Sequence, residues 1–241
     1  MTGLHVHRFG FSDVAFELET DWQALADHWR RYTAFFETGS KPRVRYRLRR
    51  KSTPLLERTG RTPCYYERDI DLFPMLEDAF LKDLVSLVGK HFPIYHSAVV
   101  ADGGRATIYI GEPNAGKSTL CVERVQKGAT YLSDEMAAVD GNQVIALPRP
   151  ISFNNLENPT ELMPLGDHRF KSFGYDFIDK AGHMRRSQFF LPRGQSSARA
   201  GDRFPIKEVV FLDPVENGPP RQIPLHGAEK RARLALSCLS G

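Results

Sequence analysis

The chain has 241 residues and a mass of 27.3 kDa, room for one generous domain or for a domain with a smaller lobe. With 41% hydrophobic and 26% charged residues it can build a sizeable core, and a formal charge of +4 suits a protein that handles nucleotides without calling for a nucleic-acid partner. Three isolated cysteines (Cys64, Cys121, Cys238) argue against a disulfide framework. No apolar run approaches the ~20 residues of a membrane span, and the opening MTGLHVHRFGFSD lacks the plan of a secretory signal. The expectation is a cytoplasmic chain with no membrane partner.

Along the chain, DWQALADHWRRYTAFF places Trp22, Leu25, Trp29, Tyr32 and Phe36 at three- and four-residue steps, one face of a helix. RVRYRLRR, residues 43 to 50, alternates strictly and predicts a strand with Arg43, Arg45, Arg47 and Arg49 on one side. Such a row can steer an anionic partner or serve as a solvated or edge-protecting face. DLFPMLEDAFLKDLVSLVGKH predicts a helix from Asp71 as N-cap, with Pro74 in the first turn and Phe73, Leu76, Phe80, Leu84 and Leu87 as its apolar stripe. Packing on a sheet is all that is expected of it.

A compact series follows. YHSAVVAD and ATIYI read as strands joined by a turn at Gly103-Gly104, then comes a glycine-rich loop, and KSTLCVERVQKG reads as a helix closed by Gly128. ATYLS is a strand ending at Asp134-Glu135, and MAAVDGNQVIAL is a hairpin turning at Asp140-Gly141-Asn142. From residue 148 to about 200 the chain is rich in Pro, Gly, Arg and Asn and is expected to be irregular, a lid or a binding loop. IKEVVFLD and RQIPLH read as late strands, and GAEKRARLALSCLSG as a last helix whose abrupt meeting with residue 241 suggests that the natural chain continues.

The loop carries the chemistry. GEPNAGKST fits G-x-x-x-x-G-K-[ST], in which backbone N–H groups at a helix N-terminus converge on phosphate oxygens. Gly111, Glu112, Pro113, Asn114, Ala115, Gly116, Lys117, Ser118 and Thr119 form the expected nucleotide-binding set. Lys117 reaches the β- and γ-phosphates, and Ser118 offers its hydroxyl to Mg²⁺. Asp134 and Glu135 close the strand after the loop helix, where phosphate-loop enzymes hold metal or orient a nucleophile. One carboxylate can contact metal while the other accepts the proton of an attacking hydroxyl. His96 opens the strand before the one feeding the loop, at the end of the hairpin nearest to it. GTP chemistry needs N-K-x-D or T-K-x-D, and neither occurs; the single D-x-x-G, DKAG at 179 to 182, lies past the strand that should carry it.

HSAVVADGGRATIYIGEPNAGKSTLCVERVQKGATYLSDE resembles the catalytic segment of the HPr kinase/phosphorylase family, bacterial serine kinases that modify a phosphocarrier protein. The resemblance covers roughly residues 92 to 140, with His96 standing 15 positions before Gly111 and 15 residues separating Ser118 from Asp134. It implies an α/β fold built on a P-loop kinase core of the HPr kinase / phosphoenolpyruvate carboxykinase type, a mixed sheet with flanking helices. That core would span 71–241, with a small N-terminal α+β region at 1–70. It also implies ATP and Mg²⁺ as cofactors, Asp134 as base, His96 beside the transferring phosphoryl group, and Ser118 with Glu135 on the metal. Lys117 would hold the phosphates.

Two departures stand out. The glycine-rich stretch that follows the acidic pair in bifunctional members is missing, and residues 1 to 70 do not read as the usual regulatory domain. The resemblance therefore points to the looser HPr-kinase-related set, whose acceptors include ribosomally made peptides. The expected acceptor is a serine of a peptide or protein, and the chain is expected to form a homo-oligomer as family members do. A small-molecule kinase of the same fold is the alternative, ahead of a GTPase or a non-catalytic nucleotide-binding domain. A transition-state cation is expected from Arg149, Arg185, Arg186 or Arg193, and acceptor docking from the 148 to 200 region or the arginine-faced strand.

Overall fold

The computed structural model describes residues 3–37, 41–50, 55–65, 72–153, 168–178, 182–213 and 227–240. Asp71 and RQIPLH lie outside them. The chain is mixed α/β, mostly sheet with few helices. Among the described residues no helix is long and apolar enough to cross a membrane.

The first five strands are β1 (His5–Phe11), β2 (Val14–Thr20), β3 (Val44–Arg49), β4 (Leu55–Arg58) and β5 (Cys64–Tyr65), paired in that order. Helix α1 (Gln23–Tyr32) buries Leu25, Trp29 and Tyr32, the stripe its spacing predicts, and carries Arg30 and Arg31 in its last turn, where cations suit the helix dipole. The arginine face of β3 is answered from within. Arg45 meets Glu17 at 3.2 Å, Arg47 meets Glu19 at 3.6 Å, Arg49 also pairs with Glu19, and Arg43 meets Asp13 at 2.6 Å. Parallel pairing of β2 with β3 sets Glu17 against Arg45 and Glu19 against Arg47. The row is a cross-strand ion-pair ladder, its charge largely spent inside the chain.

Helix α2 (Leu72–Val88) does more than the packing expected of it. Its Phe73, Leu76, Phe80, Leu84 and Val88 join Phe9, Phe16 and Trp29 in one apolar cluster, which also takes in Ile94, Met136 and Phe189 from later in the chain. Its buried Asp83 accepts a hydrogen bond from Tyr46 Oη at 2.7 Å and another from Arg58, tying the helix to β3 and β4. A carboxylate is tolerated there because both donors are supplied.

The second sheet holds β6 (Ile94–Asp102), β7 (Arg105–Gly111), β8 (Thr130–Ser133), β9 (Met136–Asp140), β10 (Gln143–Ile145) and β14 (Arg203–Leu212). Its pairings return on themselves: β6 to β7, β7 to β14, β14 to β10, β10 to β9, and β9 back to β6. Only β7 and β14 run parallel in that ring. Val99, Ile108, Ile110, Ala137 and Val144 share one cluster, while Ala98, Val100 and Tyr109 pack against Cys121, Val122 and Val125 of helix α3 (Lys117–Gln126). Gly128 ends α3 at φ 101°, a conformation open to glycine.

The expectation of irregular chain from 148 to 200 is overturned over the described part. Strands β11 (Ile151–Phe153), β12 (Phe170–Ile178) and β13 (Met184–Pro192) form a three-stranded sheet, and β12 pairs with β13 along nine residues. The pattern misleads because much of this hairpin faces water. Phe173, Phe189 and Ser187 are buried, whereas Lys171, Asp176, Arg185 and Arg186 are exposed and dilute the apolar signal. A final helix, α4 (Gly227–Leu236), lays Leu234 on the cluster of the second sheet.

Candidate functional site

Strand β7 ends at Gly111, and α3 opens at Lys117. A Cβ on Gly111 would lie 2.9 Å from Ala115 Cβ and 3.0 Å from Leu212 O, so only glycine lets β14 and the loop close together. The loop turns through two left-handed residues, Asn114 at φ 68° and Gly116 at φ 87°. Asparagine is among the few side-chain-bearing residues that adopt this conformation, which accounts for its presence. Gly116 caps α3 without a side chain, leaving the first N–H groups of the helix for an anion. Glu112, Pro113 and Asn114 are exposed; Ala115, Ser118 and Thr119 are half-buried.

Lys117 is buried and folded back on the loop: its Nζ donates to Gly111 O at 2.7 Å and to Glu112 O at 3.0 Å. Burial pushes its pKa down, while Glu135, Asp134 and Glu112 pull it up.

Asp134 follows the last residue of β8 and is 2% exposed, and neither carboxylate oxygen makes a hydrogen bond of good geometry. Burial raises its pKa to about 7; Arg149, the nearby Ser118 hydroxyl and Lys117 oppose the rise, and Glu135 adds to it. Loop and carboxylate therefore lie within electrostatic reach of each other. Glu135 is more open: Oε1 meets Arg149 Nη2 at 3.3 Å, and Oε2 stands 3.5 Å from His96 Nδ1. His96 also sets Nδ1 3.1 Å from Glu135 O, and the Ser97–Ile110 pairing brings its strand position beside the loop.

Of the four candidate arginines, Arg149 is the one brought to these carboxylates. It is buried, with Nη1 3.2 Å from both Tyr32 Oη and Glu77 Oε1 and Nη2 2.9 Å from Ser152 Oγ. Tyr32 Oη donates to Glu77 Oε1 at 2.8 Å. Burial works against the charge of Arg149, yet Tyr32, Glu135, Glu77 and Asp134 together hold its pKa above the ordinary arginine value. Burial raises the pKa of Glu77, with Arg149 the main opposing influence. Arg185, Arg186 and Arg193 are exposed on the three-stranded sheet or just after it, and Arg186 pairs with Asp176 at 3.0 Å.

The sequence reading places Tyr32 only on an apolar helix face and misses Glu77, although a signal for Glu77 exists. Phe73, Glu77, Phe80 and Leu84 fall at steps of four, three and four, so Glu77 sits within the apolar stripe of α2. Among the described residues no group of three or more His, Cys, Asp and Glu side chains could hold a metal ion. A divalent cation here would complete its shell from phosphate and water, as Mg²⁺ commonly does. The half-buried Ser118 hydroxyl and the half-open Glu135 carboxylate are hard oxygen donors that fit such a group, with buried Asp134 beside them.

No protein-family model matches the chain, and no curated protein does. Among solved structures, the HPr(Ser) kinase/phosphatase from Coxiella burnetii is a weak neighbour, with a TM-score of 0.28 and 14% identity over 55% of this chain and 67% of that one. At that TM-score the likeness carries no weight for fold or function.

Proposed function

We propose that this chain is an ATP- and Mg²⁺-dependent kinase that transfers the γ-phosphate to a hydroxyl, a serine of a peptide or protein, on a P-loop core of the HPr kinase type. One observation carries the reading: a buried carboxylate, Asp134, with no hydrogen bond of good geometry, is set against the lysine and serine that open the loop helix. The N-terminal amides of α3 bind phosphate, and Lys117, released from its two carbonyls, adds charge to the same oxygens. Ser118 and Glu135 would hold Mg²⁺, which supplies charge neutralisation during transfer. Asp134 receives the proton of the acceptor hydroxyl, and a pKa near 7 suits a base working close to neutrality. His96 orients Glu135, and Arg149 balances the paired carboxylates from behind.

Thermal shift with ATP against GTP, each with Mg²⁺, tests the nucleotide; selective stabilisation by GTP overturns the reading. Asp134→Asn is expected to slow transfer by about 10²–10⁴-fold while nucleotide binding persists, the usual range for a lost proton acceptor. Normal transfer by that variant removes Asp134 from the role.

A further inference from the structure

The strand that carries His96 is paired unevenly. On one edge, β6 meets β7 only from Ser97 opposite Ile110 to Asp102 opposite Arg105, because β7 then leaves to form the loop. On its other edge, Ile94, Tyr95 and His96 pair with β9. The edge that β7 vacates is filled by the segment after α4. Tyr95 and Cys238 form an antiparallel bridge, His96 N donates to Ser237 O at 2.8 Å, Leu239 N donates to Ile94 O at 2.6 Å, and Ile94 N donates to Ser240 Oγ at 2.9 Å. This register sets Ser237 directly across from His96. Directly opposed residues of an antiparallel pair hold their Cβ atoms about 5 Å apart on one face, and on this face the His96 ring meets Glu135. Ser237, in the turn that closes α4 with its N–H and hydroxyl both bonded to Leu234 O, thus lies beside the candidate site where the chain enters the β6 edge, in line with the end of β7.

The segment is lightly held. Leu239 is 44% exposed, no apolar side chain of the segment is buried, and the attachment comes from main-chain bonds, the Ser240 hydroxyl and the close approach of Ser240 to Gly89. Elements of this kind, with little apolar burial, open at low free energy. Pairing through main-chain groups reads no particular sequence, so any extended chain of suitable size can take the same place.

We infer that the Ile94–His96 edge of β6 is the docking edge for an extended, serine-bearing peptide, and that Ser237–Ser240 occupies it as a built-in stand-in for that peptide. The inference rests on the kinase reading for the use made of the docked serine, but docking itself is measured without transfer.

The test uses the full chain carrying Leu239→Pro and Ser240→Ala, which removes the N–H to Ile94 and the hydroxyl that Ile94 bonds. The probe is a fluorescein-labelled ALSALS peptide, residues 235 to 240 with alanine for the cysteine, followed by anisotropy without nucleotide. The variant is expected to bind at least about 10-fold more tightly than the unaltered chain, whose own segment competes at an effective concentration of order millimolar. An ALSAPS peptide, lacking the pairing N–H, is expected not to bind. Equal affinity for the two proteins, or no binding by a variant that melts normally and is stabilised by Mg·ATP, overturns the inference. If the variant does not fold, hydrogen exchange on the unaltered chain decides. The His96 and Ile94 amides should exchange faster than those of Val99 and Val100 and slow as ALSALS is added; no response to peptide overturns it. Docking of ALSALS without label transfer from ATP to its serines counts against the kinase reading and leaves the docking edge standing.

Discussion

At the scale of single residues, the site depends on a few side chains whose surroundings set their chemistry. Lys117 leaves two loop carbonyls to meet phosphate, so Lys117→Ala is expected to shrink the rise in melting temperature given by Mg·ATP and to slow transfer as well. A full nucleotide-dependent shift in that variant would exclude the lysine from phosphate binding. Gly111 is a steric requirement: Gly111→Ala places a methyl against Ala115 and Leu212 and is expected to weaken nucleotide binding by moving the loop. His28 shows how burial sets a charge. It stands edge-on to Phe73, Phe173, Tyr175 and Phe189, and burial followed by the Arg31 charge lowers its pKa to about 4. A histidine depressed from 6.5 in the unfolded chain contributes stability that is present above pH 6.5 and lost as pH falls toward 4. His28→Phe should therefore gain on the unaltered protein in urea unfolding at pH 5 relative to pH 7.5; an equal difference at both pH values would show that His28 does not titrate this way.

At the scale of elements, α2 links the first sheet to the carboxylates of the second. Glu77 satisfies Tyr32 and Arg149 together, and removing one partner of a buried ion pair typically costs about 3–5 kcal/mol. Glu77→Ala is expected to lower the urea midpoint accordingly, whereas Glu77→Gln, which still accepts from Tyr32, should lose less. Matching losses would mean that the pair contributes by filling space alone. The ladder on β3 behaves differently. Arg45 and Arg47 are about half exposed, and exposed pairs are worth at most about 1 kcal/mol. Arg45→Ala should therefore barely move the same midpoint. The sequence marks Arg43 to Arg49 as one face of a strand, but it does not show that Glu17 and Glu19 stand opposite, because β2 and β3 become neighbours only across α1.

At the scale of the whole molecule, one apolar cluster draws on β1, β2, α1 and α2 and also on β6, β9 and β13. Trp29, fully buried within it, stacks on Tyr32 and meets Phe9, Phe73 and Phe80 edge-on. Trp29→Ala is expected to cost about 3–5 kcal/mol, and tryptophan fluorescence and far-ultraviolet dichroism of the unaltered protein should report a single shared unfolding transition. Two separated transitions would show that the N-terminal sheet and the loop-bearing sheet fold independently. The ring of strands adds a constraint of its own. Closure through the parallel β7–β14 pair presses Leu212 onto Gly111, so a late strand shapes the loop that an earlier strand begins.

By itself the sequence determined the local pieces whose signals are contained in a short window. These are the apolar stripes of α1 and α2, the hairpin into the loop, the glycines and lysine that suit an anion at a helix start, and the acidic pair at the next strand's end. Tertiary structure alone decided which distant groups share a dielectric and a hydrogen bond. It buried Asp134 with no hydrogen bond of good geometry, chose Arg149 over the exposed arginines, drew Glu77 and Tyr32 to it, and laid Ser237 across from His96. The reason is physical: periodicity reports which face of an element turns inward, whereas pairing and burial depend on what the remote chain brings to that face.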